Sequence, residues 1–115
     1  MAISENTTNR PDVLTKAAVR AASELGLTNT QLARIIDIDE GSLGALINPA
    51  GESGLRARQL IRIYQHLHAM TGNDRAAMAH WVRTKSRRLD SAPIDRMLTA
   101  DGLDQTLAYL ESLNP

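Results

Sequence analysis

Apolar residues recur at helical spacing along almost the whole chain, and this periodicity constrains the fold more than any other feature. Its first instance is a set of four residues at intervals of four, three and four: Leu14, Ala18, Ala21 and Leu25. No stretch shows the strict apolar–polar alternation of a strand. Because the chain has no Phe and only 3% aromatic residues, its core has to be mainly aliphatic, which favours helices over sheets. The sequence therefore predicts an all-α fold.

Caps and turn residues divide this pattern into successive helices. Pro11 suits the first position of a helix, and Gly26 follows its last apolar residue. Thr28 and Gln31 have the spacing of a capping box, which begins a second helix. Asp39 is predicted to cap a third, short helix that runs to about residue 47. The residues expected to face inward from this third helix are Leu43, Leu46 and Ile47.

Four further helices are predicted after a loop rich in Asn, Pro and Gly. The longest runs from about residue 55 to residue 70, and Asn73 is expected to cap the helix after it. Ser91 is expected to cap a brief helix near residue 93. A last amphipathic helix should follow Gly102, with one face made of four leucines: Leu103, Leu107, Leu110 and Leu113.

Charge is unevenly distributed, although the formal net charge is zero. Residues 1–50 contain four basic and six acidic side chains, a net charge of −2. Residues 51–92 contain eight basic and three acidic side chains, a net charge of +5, and residues 93–115 contain one and four, a net charge of −3. A nucleic-acid-binding protein that is basic throughout would not show this pattern.

The composition also limits the compartment and the chemistry of the chain. Without Cys, neither a disulfide framework nor a thiolate metal site can form. No apolar run approaches the roughly 20 residues that span a bilayer. Residues 1–10 are polar and lack the layout of a signal peptide. We therefore expect a cytoplasmic protein that does not associate with a membrane.

Patterns typical of enzymes and metal sites are missing from the sequence. His66 and His68 are two residues apart and so point to different sides of a helix, while His80 is isolated. There is no Gly-x-Ser-x-Gly nucleophile motif and no Gly-Lys-Ser/Thr phosphate loop. We therefore expect no catalytic activity, no metal ion and no cofactor.

Residues 28–47 combine two predicted helices with a tight turn. Ala33 is small enough for the two helices to approach closely, and Asp37 occupies the turn position usually held by glycine. The arrangement resembles the helix-turn-helix of Xre-type, phage-repressor-like regulators. The residues that this resemblance makes candidates for DNA binding are Gln31, Arg34, Ser42, Arg56 and Arg58. However, Asp39 and Glu40 place negative charge where DNA phosphates would lie, so a scaffold or an oligomerisation surface is the alternative interpretation.

A second and more specific pattern begins at Trp81. Its members, in order, are Trp81, Leu89, Pro93, Leu98 and Gly102. In order and spacing they are similar to the Xre/MbcA/ParS toxin-binding domain of bacterial antitoxins. The chain departs from that family in the loop, because residues 84–88 are more basic than usual and Asp90 stands where glycine is common. Together with the helix-turn-helix, the resemblance covers about residues 12–113.

The resemblance implies the antitoxin of a type II toxin–antitoxin pair, built in three parts. These are a disordered tail at residues 1–11, an Xre-like helix-turn-helix domain at 12–72 and a small helical toxin-binding domain at 73–115. The implied partner is a RES-type toxin that degrades NAD, or the related ParT-type enzyme. The C-terminal helices would cover the entrance to the active site of that toxin, and the N-terminal half would form a homodimer and bind promoter DNA.

The residues expected to bind the toxin are Trp81, Arg83, Lys85, Arg87, Arg88, Leu89, Pro93, Leu98, Gly102, Leu103, Leu107, Leu110 and Pro115. Two alternatives remain open for members of this set. Trp81 could be a plain core residue, and the basic run could be a solvated helix end or could bind DNA phosphate. For the whole chain, the alternatives are a stand-alone Xre-like transcription regulator without a toxin, and a phage-derived adaptor that binds protein alone.

Overall fold

The computed structural model describes residues 10–113, which form six α-helices with no strand longer than an isolated bridge. The helices are α1 (Pro11–Glu24), α2 (Asn29–Ile36), α3 (Glu52–Thr71), α4 (Arg75–Arg83), α5 (Pro93–Met97) and α6 (Ala100–Leu113). The predicted all-α class is confirmed. Most of the predicted tail at residues 1–11 and the predicted contact at Pro115 lie outside the described residues, whereas Pro11 is the first residue of α1.

The connection between α1 and α2 forms as its residues predict. Gly26 follows α1 with a φ of 74°, a left-handed conformation that glycine adopts without strain. Thr28 then caps α2: its Oγ1 accepts a hydrogen bond from the backbone N–H of Gln31 at 3.1 Å, and Gln31 Oε1 accepts one from the N–H of Thr28 at 2.9 Å. The capping box is therefore complete. Asp37 ends α2 in a left-handed turn with a φ of 61°.

The predicted third helix does not form in the structure. Only a single 3₁₀ turn, Glu40–Ser42, follows Asp37, and Leu46 is 63% exposed although it was expected to face inward. Gly41 and Gly44 explain part of this difference, because each glycine disfavours a helix by about 1 kcal/mol relative to alanine. A tertiary hydrogen bond explains more. The N–H of Ile47 donates to Thr15 Oγ1 in α1 at 2.9 Å, which holds this part of the chain outside a helix.

The ends of the later helices differ from the sequence prediction in small ways. The helix α3 begins at Glu52, and its close approach to the preceding loop needs Gly54, whose added Cβ would overlap the carbonyl oxygens of Asn48 and Pro49. Asp74, not Asn73, caps α4, with its carboxylate accepting a hydrogen bond from the backbone N–H at position 77. No side chain caps α5, so the prediction of a cap at Ser91 is wrong.

One hydrophobic core joins both halves of the chain. Buried apolar residues from all six helices form a single cluster that extends from Leu14 in α1 to Leu110 in α6. The long helix α3 packs against α1, α2 and α6. Two polar contacts reinforce the junction of α3 with α6, because Gln59 donates to Asp104 and Arg62 pairs with Glu111. The predicted boundary between residues 72 and 73 thus separates two helices that share this core.

Candidate functional site

The helix α4 is fastened to the end of α1 by two arginines. Arg83 donates a hydrogen bond from Nη2 to the carbonyl oxygen of Gly26 at 2.6 Å. Arg75 forms an ion pair with Glu24 at 3.3 Å between Nε and Oε2. Arg83 was expected to contact a partner, but its guanidinium lies on a carbonyl group at the C-terminal end of α1 within the same chain. Its first role is therefore to position α4.

A tight turn between α4 and α5 presents three cations. Ser86 and Ser91 form an isolated antiparallel bridge, with the N–H of Ser86 donating to the carbonyl oxygen of Ser91 at 2.9 Å. Within the turn, Leu89 is buried and Asp90 has a φ of 58°. The side chains that remain exposed around the bridge are those of Lys85, Arg87 and Arg88. The turn is thus anchored by one leucine, and its basic residues face solvent.

Two of the three aromatic residues of the chain meet beside this turn. The rings of Trp81 in α4 and Tyr109 in α6 stack with their centroids 6.3 Å apart and their planes inclined by 21°. The Arg88 guanidinium carbon lies over the Tyr109 ring, 5.8 Å from its centroid. Both rings are only half-buried. In a chain with so few aromatic side chains, placing two of them at the surface is not what core packing alone requires.

We name this region the aromatic–basic surface and define it as Trp81, Lys85, Arg87, Arg88 and Tyr109. A groove adjoins it between the turn and α6 and is lined by Arg88, Leu89, Gln105, Ala108, Tyr109 and Ser112. The sequence interpretation missed Tyr109. A signal for it existed, because Tyr109 lies off the leucine face of an otherwise regular amphipathic helix.

Most of the apolar residues expected to bind a partner are buried within the chain. Leu103 and Leu110 have no exposed surface and Leu107 is 7% exposed. The other buried members of the predicted set are Leu89, Pro93 and Gly102. The side chains of Leu103, Leu107 and Leu110 pack in the core shared with α1 to α3. Direct contact between these buried residues and a partner stays a prediction. Leu98 is half-buried and also packs against that core.

Gly102 is needed for internal packing. A Cβ added at this position would overlap the carbonyl oxygen of Arg96, so α6 can approach α5 this closely only with glycine there. The N–H of Gly102 donates a hydrogen bond to Thr99 Oγ1 at 3.1 Å. The predicted Gly102 therefore shapes the fold of the C-terminal helices, and its contribution to a partner surface is indirect.

Three of the five candidate DNA-binding residues are engaged by other groups of the chain. Gln31 is used in the capping box, Arg56 pairs with Glu52 at 3.0 Å, and Arg58 donates to the carbonyl oxygen of Pro49 at 2.9 Å. Only Arg34 and Ser42 of the five are exposed. The second helix of the motif, which such motifs place in the major groove, is reduced here to a 3₁₀ turn.

Two other kinds of site are not found among the described residues. Among residues 10–113, no three His, Asp or Glu side chains lie close enough together to hold a metal ion. In the same range, none of the helices combines the length and the apolar character needed to cross a bilayer.

The fold and its exposed aromatic–basic surface define a small all-α module suited to binding another protein. Residues 66–114 match the model of the family described as the antitoxin Xre/MbcA/ParS C-terminal toxin-binding domain. This match is to the family that the pattern beginning at Trp81 resembles, and it confirms that resemblance over residues 66–114. The match begins within α3, so the family's domain includes part of the helix that packs against α1, α2 and α6. No curated protein matches the chain.

Proposed function

We propose that this chain is the antitoxin of a type II pair and that it neutralises a RES-type toxin, an NAD-degrading enzyme, or the related ParT-type enzyme. The family match supports a toxin partner. The observation that carries the assignment of the surface is the stacked, partly exposed pair of Trp81 and Tyr109 within the matched segment. Binding sterically blocks the toxin and requires no catalytic group in the antitoxin.

Aromatic residues and arginine are the side chains that contribute most to binding free energy at protein interfaces. A half-buried Trp or Tyr presents a large rigid area and loses little conformational entropy on binding. Arg88 extends this area with a cation held over the Tyr109 ring. The leucines of α6 contribute to binding indirectly, because their packing in the core fixes the position of the helix that carries Tyr109.

The test is co-expression of the chain with the toxin encoded by the neighbouring reading frame, scoring bacterial growth and co-purification. We expect rescue of growth and a stable complex with the wild-type chain. Tyr109→Ala should weaken the complex by at least about 2 kcal/mol, roughly 30-fold in Kd. Tyr64→Ala is the matched control, since Tyr64 is also half-buried but precedes the matched segment. If the wild-type chain gave no rescue of growth and formed no complex, the result would favour the stand-alone regulator.

Promoter binding and dimer formation by the N-terminal half remain predictions. Arg34 and Ser42 are the exposed members of the candidate DNA-binding set, and Asp37, Asp39 and Glu40 are exposed close to them in sequence. A mobility-shift titration with promoter DNA at increasing salt tests promoter binding, because binding that disappears at physiological salt reflects only nonspecific phosphate contact. Sedimentation equilibrium tests the dimer, with Leu46→Glu as the variant at the most exposed leucine.

A further inference from the structure

The turn between α4 and α5 holds three positive charges that no carboxylate of the described chain neutralises. The ion pairs within residues 10–113 involve other arginines: Arg10, Arg56, Arg62 and Arg75. Lys85, Arg87 and Arg88 form none, and all three are exposed. Three like charges within four residues repel one another, so their concentration here does not stabilise the isolated chain.

The same turn is built to hold these charges in fixed positions. The Ser86–Ser91 bridge closes it, and the buried side chain of Leu89 ties it to the rest of the protein. Arg88 is held further by its position over the Tyr109 ring. A guanidinium held against a ring loses less entropy when it binds, and its planar fork can meet a carboxylate with two hydrogen bonds.

We propose that this turn docks on an acidic patch of the toxin, with Arg88 receiving a carboxylate while stacked on Tyr109. The inference rests on the proposed antitoxin function and adds to it the chemistry of the partner surface. Lys85 and Arg87 supply attraction over a longer range, which accelerates association. Tyr109 and Trp81 supply the apolar contact that holds the complex once it has formed.

A protein partner fits this surface better than a nucleic acid. The groove beside the turn runs along α6, which carries Asp101, Asp104 and Glu111 and no Lys or Arg. An extended polyanion lying in that groove would meet no cation besides Arg88, whereas a compact acidic patch can contact the turn alone.

The experiment measures association and dissociation rates with the purified toxin of the neighbouring reading frame, at several salt concentrations. The Arg87→Glu/Arg88→Glu double variant should associate at least about tenfold more slowly at low salt, and the difference should shrink as salt rises. Lys16→Glu/Arg20→Glu is the matched control, because both residues are exposed and lie in α1. It should associate at the wild-type rate, after circular dichroism has confirmed that both variants are folded.

Arg88→Lys separates charge from stacking. It keeps the positive charge, so its association rate should equal that of the wild type, but it loses the planar contact with Tyr109 and should dissociate several-fold faster. Association that is unchanged in the double variant overturns the inference and leaves the proposed function standing. The inference is also overturned if the double variant loses binding to a 30-base-pair DNA duplex while its toxin kinetics stay unchanged. If the wild-type chain forms no complex at all, the proposed function fails and takes the inference with it.

Discussion

The segment at residues 28–47 and the C-terminal segment from Trp81 to Tyr109 contain similar signals but use them differently. Each has a turn with an aspartate in the left-handed conformation, at Asp37 and Asp90. In the first segment, Gln31 is engaged in the capping box while Arg34 and Ser42 are exposed, and the helix expected after the turn is absent. In the second, the apolar candidates are buried, and aromatic and basic side chains take the surface.

The difference teaches how to interpret an apolar periodic pattern in a small helical protein. A regular stripe such as the leucines of α6 is most simply satisfied by the chain's own core, as the full burial of Leu110 shows. Residues that depart from the stripe carry more information about a partner. Tyr109 lies off the leucine face of α6. The three cations of the turn form no ion pair with a carboxylate within residues 10–113.

The largest expected effect comes from charging the core at α6. Leu110→Asp should lower the free energy of unfolding by more than about 4 kcal/mol, because it places an unpaired carboxylate in the apolar cluster. Since that cluster includes residues of α1 to α3, their helicity should be lost in the same thermal transition, followed by far-ultraviolet circular dichroism. Leu113→Asp is the control, because Leu113 is 47% exposed. If α1 to α3 stayed folded in Leu110→Asp, the two halves would be independent domains.

The second effect compares two glycines, one from each segment. Gly102→Ala should cost about 2–3 kcal/mol, because the added methyl group would overlap the Arg96 carbonyl oxygen. Gly44→Ala has open space around the added atom and should change stability by less than about 0.5 kcal/mol. Urea denaturation of both variants measures the difference. An equal loss of stability at the two positions would show that α5 and α6 do not pack closely at Gly102.

A third effect concerns the cap of α2, the part of the N-terminal segment that forms as predicted. Thr28→Ala should lower the free energy of unfolding by about 1 kcal/mol, because the N–H of Gln31 loses its acceptor. Asn29→Ala is a neighbouring control at an exposed position for which the structure shows no cap contact. Urea denaturation measures the difference in the free energy of unfolding. If Thr28→Ala caused no loss of stability, water would satisfy the N–H groups of the first turn of α2 as well as the threonine does.

The smallest effect tests whether the two left-handed aspartates are equivalent. Asp37→Gly and Asp90→Gly should each stabilise the chain by about 0.5 kcal/mol, because glycine adopts a positive φ without the steric cost of a Cβ atom. Asp39→Gly is the matched control: Asp39 has a φ of −68°, so glycine there gains nothing and only increases the entropy of the unfolded chain. In thermal unfolding, the Tm of the first two variants should be higher than that of the wild type, and the Tm of the control should be lower.

A large part of the fold could be predicted from the sequence, because its signals act over short distances. The capping box of Thr28 and Gln31, the left-handed Gly26 and the periodic apolar residues depend on atoms three or four positions apart. The same locality explains the failure at residues 39–47. There, a helical pattern of apolar residues competes with the hydrogen bond from Ile47 to Thr15, a residue of another helix.

For the candidate site, the sequence by itself determined the family of the C-terminal region and the presence of a basic turn near Trp81. Only the tertiary structure decided which of the predicted residues reach the surface. The leucines of α6 face α3, and Tyr109 meets Trp81, because the core brings together helices that are distant in the sequence. The physical reason is that burial depends on what the whole chain packs against each face of a helix. Periodicity reports only that such a face exists.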